Sequence, residues 1–465
     1  MAARRLSLLD TSFLQIESRR MPMHVAALMI FEVPEGSSTE FVGDVVQRFR
    51  ACKAFANPWN YRLRRASRLQ FMPQLEETRN VDLEYHVRHL ALPRPHGERE
   101  LGQLIARLHS QPLDLRKPLW EVHVIEGLDR NRFALYVKVH HALVDGVSAT
   151  RLLMGALATQ VESPGQIPFW AVDDQARERA MKPAAVRKTP APALPSLNAI
   201  VGAVRATLRT WTAPGDGDEV SMRSAPMTLL NHPIYSQRRF ATHTESLARI
   251  KAVAKAADAS LNDVVLAMVG SVVRNYLVDH RALPDRSLTA SIPVSMHAAG
   301  DTRVGNNVSM MFATLATHVV NDGQRLEAIK ASTRAAKKRM GELPPGSESL
   351  YPSLMLAPFV GGMVSGLAGR TKPLFNVIVS NVPGGAEQRY LFGARLAQCY
   401  PVSIPNHGGA LNVTCFSHAG QLNFGIVACR DSVPHVQQMA VGLGAALERL
   451  EAIYCAKPTA IRRIA

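Results

Sequence analysis

Two adjacent histidines stand at the end of one apolar run, in the order His140-His141-Ala142-Leu143-Val144-Asp145-Gly146. An unperturbed imidazole titrates near neutrality, so one held in place is a ready general base for a hydroxyl or thiol. The residues before it say how it would be held. Phe133, Leu135, Val137 and Val139 alternate with Ala134, Tyr136 and Lys138, the period-2 pattern of a half-buried strand. Successive strand side chains point to opposite faces, so His141 continues the apolar face and His140 turns the other way. Side chains so opposed are poor joint metal ligands, and with no C-x-x-C or H-E-x-x-H in the chain no metal site is expected. On these residues alone, a general base and a pair of ordinary strand-end histidines are evenly matched.

Other polar groups sit where they could assist. In Pro373–Gly385, "PLFNVIVSNVPGG", an apolar strand ends on Ser380 and Asn381 before a Pro-Gly turn. They either satisfy that turn or line a channel. Ser260 or Asn262 suits the N-cap of a helix beginning near Asp263, whose carboxylate also favours a helix start. Asn262 is equally a candidate donor to an oxyanion. Trp120, after Pro118 and Leu119, reads as core packing whose indole N–H needs one acceptor.

His140–Gly146 resembles the HHxxxDG motif of the CoA-dependent acyltransferase superfamily. Its surroundings are similar to one branch, the bacterial wax ester synthase/acyl-CoA:diacylglycerol acyltransferases (WS/DGAT). Leu6–Phe31 is like that branch's opening, Pro118-Leu119-Trp120 like its PLW segment, Asn262-Asp263 like its ND pair, and Ser380–Gly384 like its SNVPG segment. The likeness runs from Leu6 to the last helix and breaks only across a linker.

The resemblance implies an α/β (α+β) fold of two chloramphenicol acetyltransferase-like domains, mixed sheets flanked by helices, with an active-site channel between them. It implies an O-acyltransferase moving a long-chain acyl group from acyl-CoA to diacylglycerol or a fatty alcohol. His141 would be the general base, with His140 and Asp145 supporting the loop and Gly146 allowing its turn. Acyl-CoA would be a co-substrate and no cofactor is expected. Two other readings stay open: a same-superfamily acyltransferase with another acceptor or a carrier-protein thioester, and a catalytically silent lipid-binding relative.

Composition agrees with such a protein without selecting it. The chain has 465 residues, 47% hydrophobic and 20% charged, which suits a folded chain of two domains. Lys and Arg number 54 against 38 Asp and Glu, a formal net charge of +16. That excess favours anionic partners, the phosphates of CoA or an anionic membrane or lipid-droplet surface. No nucleic-acid-binding signature accompanies it. The cysteines, Cys52, Cys399, Cys415, Cys429 and Cys455, are odd in number and scattered, as expected of reduced thiols. The N-terminus has no apolar signal core, and no stretch reads as a membrane span, the nearest being Met355–Gly369. The expected location is cytoplasmic, peripheral to the inner membrane or lipid droplets, and not secreted.

The chain divides into an N-terminal domain over residues 1–160, a linker over 161–225 rich in Pro, Ala and basic residues, and a C-terminal domain over 226–465. Inside the linker, Ser196–Trp211 places Leu197, Ile200, Val201, Val204, Leu208 and Trp211 on one helical stripe beside Arg205 and Arg209. Such a helix lies in a membrane interface or packs on a domain.

Overall fold

The computed structural model describes residues 3–64, 73–144, 146–163, 165–172, 201–205, 207–208, 220, 224–295, 308–342 and 350–456. Asp145, Leu197, Ile200, Arg209 and Trp211 lie outside the described residues.

The first half opens with β1 (Ala3–Arg5), α1 (Leu8–Ile16), β2 (His24–Glu32) and α2 (Phe41–Ala51). Then come β3 (Tyr61–Leu63), β4 (Gln74–Glu77), α3 (Leu83–His86), β5 (Val87–Ala91) and α4 (Glu98–Ser110). The hairpin β6 (Trp120–Leu128) and β7 (Arg132–His140) leads through the histidine motif into α5 (Gly146–Gly155). Helix α1 starts on a capping box, Ser7 accepting from the Asp10 N–H. On α2 the buried face is apolar, made of Val42, Val45, Val46 and Phe49.

The second half holds β8 (Arg238–Ser246), α6 (Leu247–Ala256), α7 (Leu261–Asp279), β9 (Thr289–Ser295) and β10 (Val308–Thr314). Helices α8 (Asp322–Gly341) and α9 (Leu350–Val364) precede β11 (Val377–Val382), β12 (Tyr390–Leu391) and β13 (Ala394–Val402). The chain closes with β14 (Leu411–His418), β15 (Gln421–Cys429) and α10 (Val436–Tyr454).

Two six-stranded sheets organise these elements, with orders β12-β13-β2-β7-β6-β5 and β10-β9-β11-β14-β15-β8. Both are mixed: β5 runs parallel to β6, and β11 parallel to β9 and β14. The division into 1–160 and 226–465 therefore needs an amendment, because β12 and β13 leave the second half to complete the first sheet. Strand β13 pairs along β2, from Arg395 with Glu32 to Val402 with Ala26, and covers an edge that would otherwise expose unpaired backbone. Periodicity finds a strand but not its partner. Where β13 crosses the second sheet, a Cβ on Gly425 would lie 1.7 Å from the Pro401 carbonyl oxygen, so only glycine fits that crossing.

The half-buried reading of Phe133–Val139 is corrected too: β7 is buried on both faces. One face meets the interior between the sheets. Helix α4 covers the other with Leu101, Ile105 and Leu108, alongside Phe240 and Val427 of the second sheet. The polar residues on that covered face are partnered. Lys138 Nζ lies 3.3 Å from Glu121 Oε2 and donates to the Gln111 carbonyl at 3.0 Å. Burial alone would raise the Glu121 carboxyl, but the His123 hydrogen bond and the charges of Lys138 and Arg88 together bring it down to about 2.

Helix α7 is the core of the second half, packed by α6, α8 and α10. It is long and apolar enough to cross a membrane by length and composition, contrary to the expectation that no stretch is, but 72% of its apolar window is buried inside the fold. Ser260 is its N-cap and Asp263 closes the capping box, also accepting from Thr333 Oγ1 at 2.7 Å. All five cysteines are free.

Candidate active site

The strand alternation carries through to the motif. Val137, Val139 and His141 all line one cavity of about 280 Å³ between the two sheets. The His141 backbone N–H donates to the Met23 carbonyl at 2.8 Å, fastening the turn to the start of β2. Its ring packs on Phe13 of α1 with centroids 4.1 Å apart.

His140 turns the other way and is fully buried. Its Nδ1 accepts the Ala142 N–H at 3.1 Å, so Nε2 carries the proton and donates to Glu17 Oε2 at 3.3 Å. Glu17 Oε1 in turn accepts the Met23 N–H at 3.2 Å. One half-buried carboxylate at the end of α1 thus joins the helix, the start of β2 and the histidine pair.

The cavity walls are mostly apolar. Phe13 and Ile16 come from α1, Val25 and Ala27 from β2, Ala149 and Leu153 from α5, and Phe359 and Val360 from α9. Gly146 lines it at the start of α5. Burial pushes the thiol of Cys399, another lining residue, up to about 12, so it stays protonated and is no nucleophile.

A polar cluster interrupts this surface. Ser403, Asn412 and Thr414 all line it; Thr414 Oγ1 donates to Asn412 Oδ1 at 2.9 Å and pairs with Ser403 Oγ at 2.9 Å. The Asn412 amide donates to the Ile404 carbonyl at 3.2 Å, and Asn406 lines the cavity beside them. The Ser403 carbonyl is pinned from the first half by His109 Nε2 at 2.9 Å.

The remaining predicted residues divide. On β11, Ile378, Ser380 and Val382 line the cavity and Asn381, on the alternate side, does not. The turn after them is fixed by Gly384, where a Cβ would sit 1.9 Å from the Ser417 carbonyl oxygen. Asn262 stands in the first turn of α7, outside the cavity lining, while Asp263 serves that helix's cap. Leu119 and Trp120 are buried. The Trp120 indole donates to the Trp59 carbonyl at 2.7 Å and its ring stacks on Trp170 and His86, which makes the PLW segment a packing element. Among the described residues no cluster of His, Cys, Asp or Glu could hold a metal.

Glu17, Asn406 and Asn412 carried no signal in the sequence. A glutamate before a Ser-Arg-Arg turn reads as solvated, and asparagines near Pro and Gly read as turn formers.

Two mixed sheets with a histidine turn at their junction define a fold class shared with condensation domains. The first condensation domain of the CDA synthetase superposes with a TM-score of 0.60 at 15% identity, covering 98% of both chains. Within that class the chain belongs to the wax ester synthase/diacylglycerol acyltransferase family. The family's catalytic-domain model matches residues 6–265 and its C-terminal-domain model residues 304–451. A putative diacylglycerol O-acyltransferase of Mycobacterium tuberculosis (strain H37Rv) is 40% identical over 96% of this chain and 99% of its own. The O-acyltransferase WSD of Acinetobacter baylyi is 35% identical over 97% of each. The wax ester synthase/diacylglycerol acyltransferase from Marinobacter aquaeolei VT8 superposes with a TM-score of 0.77 at 34% identity, covering 97% of this chain and all of the other.

Proposed function

We propose that His141 is the general base of an acyl transfer carried out in the cavity between the two sheets. The chain is an acyl-CoA-dependent O-acyltransferase, moving a long-chain acyl group to diacylglycerol or a fatty alcohol to form triacylglycerol or a wax ester. The observation that carries the role of His141 is its position on the wall of an apolar cavity, at the end of a strand whose alternate residues line the same wall.

In the proposed step the imidazole takes the acceptor's hydroxyl proton as its oxygen bonds to the thioester carbonyl carbon. The carbonyl oxygen gains negative charge, for which the Asn406 and Asn412 amides on the cavity wall are the candidate donors, the Ser403 and Thr414 hydroxyl protons being taken up in their own chain of bonds. The C–S bond then breaks, and the CoA thiolate recovers the proton from the imidazolium. Holding both substrates in line supplies much of the rate, so the scheme needs no acyl-enzyme and calls on no cofactor. The Glu17–His140 pair holds the loop; Asp145 is assigned the same support from the motif alone.

The reaction takes lipids at both ends, and a surface suited to collecting them is present. In the linker helix Ala203 and Thr207 turn inward, while Val201, Val204 and Leu208 are 57, 40 and 51% exposed beside exposed Arg205. An outward apolar stripe edged by a cation suits the interface of an anionic membrane or lipid droplet, on the cytoplasmic side.

The test is thiol release from palmitoyl-CoA with hexadecanol or diacylglycerol. Acceptor-dependent release supports the proposal; none with any acceptor, though the lipid binds, favours a silent binding protein. Release only with a carrier-protein thioester favours the other acyltransferase reading.

A further inference from the structure

A second group of cations stands beside the cavity, separate from the linker helix. The segment 232–235 draws it together. Arg20 lies over the Tyr235 ring, 5.5 Å from its centroid. The Ile234 N–H donates to His407 Nδ1 at 3.0 Å, which leaves the proton of that neutral ring on Nε2, aimed elsewhere. Gly369 packs so closely on His232 and Pro233 that a Cβ would lie 2.6 Å from the Pro233 nitrogen, and this brings Arg370 in beside them.

Behind them Arg238 is 3% exposed and is held by carbonyls: Nη2 donates to the Arg20 carbonyl at 2.8 Å and Nη1 to that of Tyr235. Burial lowers its guanidinium only to about 10, so it stays charged at neutral pH. Burial and then the charges of Arg20, Arg238 and Arg370 lower the His407 imidazole, a sign that one positive field covers the group. Among the described residues no carboxylate lies within ion-pair distance of Arg20, Arg238 or Arg370. Elsewhere the fold does pair buried cations with acids, as at Lys138–Glu121 and Arg325–Asp322. Of the three only Arg238 is buried, Arg20 and Arg370 being exposed in front of it, so the cost of an uncompensated buried cation falls on Arg238 and a ligand's negative charge nearby offsets it.

The cluster borders the cavity at two points, since Arg20 precedes Met21 and His407 follows Asn406, and both Met21 and Asn406 line it. Resting on the acyl-CoA reading above, we propose that Arg20, Arg370 and His407, backed by Arg238, bind the phosphates of the CoA donor. The chemistry of the donor requires an offset site of this kind. Its pantetheine arm is uncharged and narrow enough for an apolar cavity, whereas its phosphates need cations outside that cavity, an arm's length from the thioester.

The test compares palmitoyl-CoA with palmitoyl-pantetheine, which has the same thioester and no phosphate. In the doubly reversed variant Arg20→Glu/Arg370→Glu the KM for palmitoyl-CoA should rise about tenfold or more, the scale of one or two charge-assisted bonds. The KM for palmitoyl-pantetheine should move by less than about twofold. Arg99→Glu/Arg107→Glu on α4, an equal change in net charge at exposed positions, should shift neither. Calorimetry with free CoA gives a reading independent of turnover, so the site can be judged even if no acyl transfer is found. Loss of about tenfold in CoA affinity in the Arg20/Arg370 variant supports the site. Equal CoA affinity overturns it, as does an equal rise in both KM values. Unchanged CoA binding with weakened flotation on anionic vesicles also overturns it, and would make the cluster a lipid-facing surface.

Discussion

At the scale of single residues, the site turns on a division of labour inside His140-His141. One imidazole faces the cavity, and the other is tied by Glu17 to the end of α1 and the start of β2. Removing the Glu17 charge should disturb the placement of His141 without touching substrate. Glu17→Gln is expected to lower kcat roughly tenfold or more, the cost of one charge-assisted hydrogen bond, with KM for palmitoyl-CoA little changed. An unaltered kcat and pH–rate profile would deny Glu17 that role. Buried titratable groups also give stability an acid limit. Burial holds His109 down to about 3 against an ordinary 6.5, and the partners of Glu121 hold it at about 2 against 4.5. In both cases the unfolded chain binds the proton more readily, so this stability is complete above pH 6.5. It falls by about 1.4 kcal/mol per pH unit and site once pH drops below each unfolded value. Urea midpoints measured from pH 7 to 4 should decline, and decline less in His109→Gln; a flat profile would contradict the assignment. The two histidines were legible in the sequence because strand alternation assigns each a face. Glu17 was not, because its partner is 123 positions along the chain and pairing over that distance leaves no local pattern.

Among elements, the strands set the shape of what the cavity accepts. Strand β7 lines it at Val137 and Val139, and His141 continues that line just beyond the strand; the lining stops before Leu135, which pairs with Met29 of β2 in the packed core. At about 3.3 Å per residue, the four positions from His141 to Val137 give a wall of about 13 Å. Ala27, opposite Val137 on β2, is a small residue near the closed end of that wall. Ala27→Phe is expected to shift competition among acyl-CoA donors toward shorter chains, measured from mixed-donor product ratios. An unchanged ratio would mean the chain runs another way. The strand into the histidine motif and the helix beginning near Asp263 were readable from local pattern. What misled was one-sided burial: the alternation of Phe133–Val139 reads as half-buried, yet the polar face is covered by α4 and Lys138 on it is paired with Glu121. Polarity marks a face as hydrogen-bonding, and does not distinguish water from a buried partner.

For the molecule as a whole, the two sheets are interlocked rather than strung on a linker, since β12 and β13 cross from the second half into the first sheet. The cavity is therefore walled by both halves, and neither alone would enclose it. That crossing was invisible in the sequence because β13 reads as a strand whichever sheet it joins. The net charge of +16 was legible, and so was Arg205 on the linker helix, but the gathering of Arg20, Arg238 and Arg370 beside the cavity was not, because they come from distant parts of the chain. If the linker helix meets lipid, Arg205→Glu should weaken flotation with anionic liposomes and leave turnover of a water-dispersed alcohol intact. Equal flotation would mean the stripe has another partner.

The central claim is that His141 removes the acceptor's proton, and the most direct measurement is acceptor-dependent thiol release by His141→Ala. General-base catalysis is worth about a hundredfold to ten-thousandfold, so kcat should fall by at least about a hundredfold. The KM for palmitoyl-CoA should stay near that of the unaltered protein, because the imidazole takes its part in the transition state. A variant that releases CoA at the full rate would contradict the account.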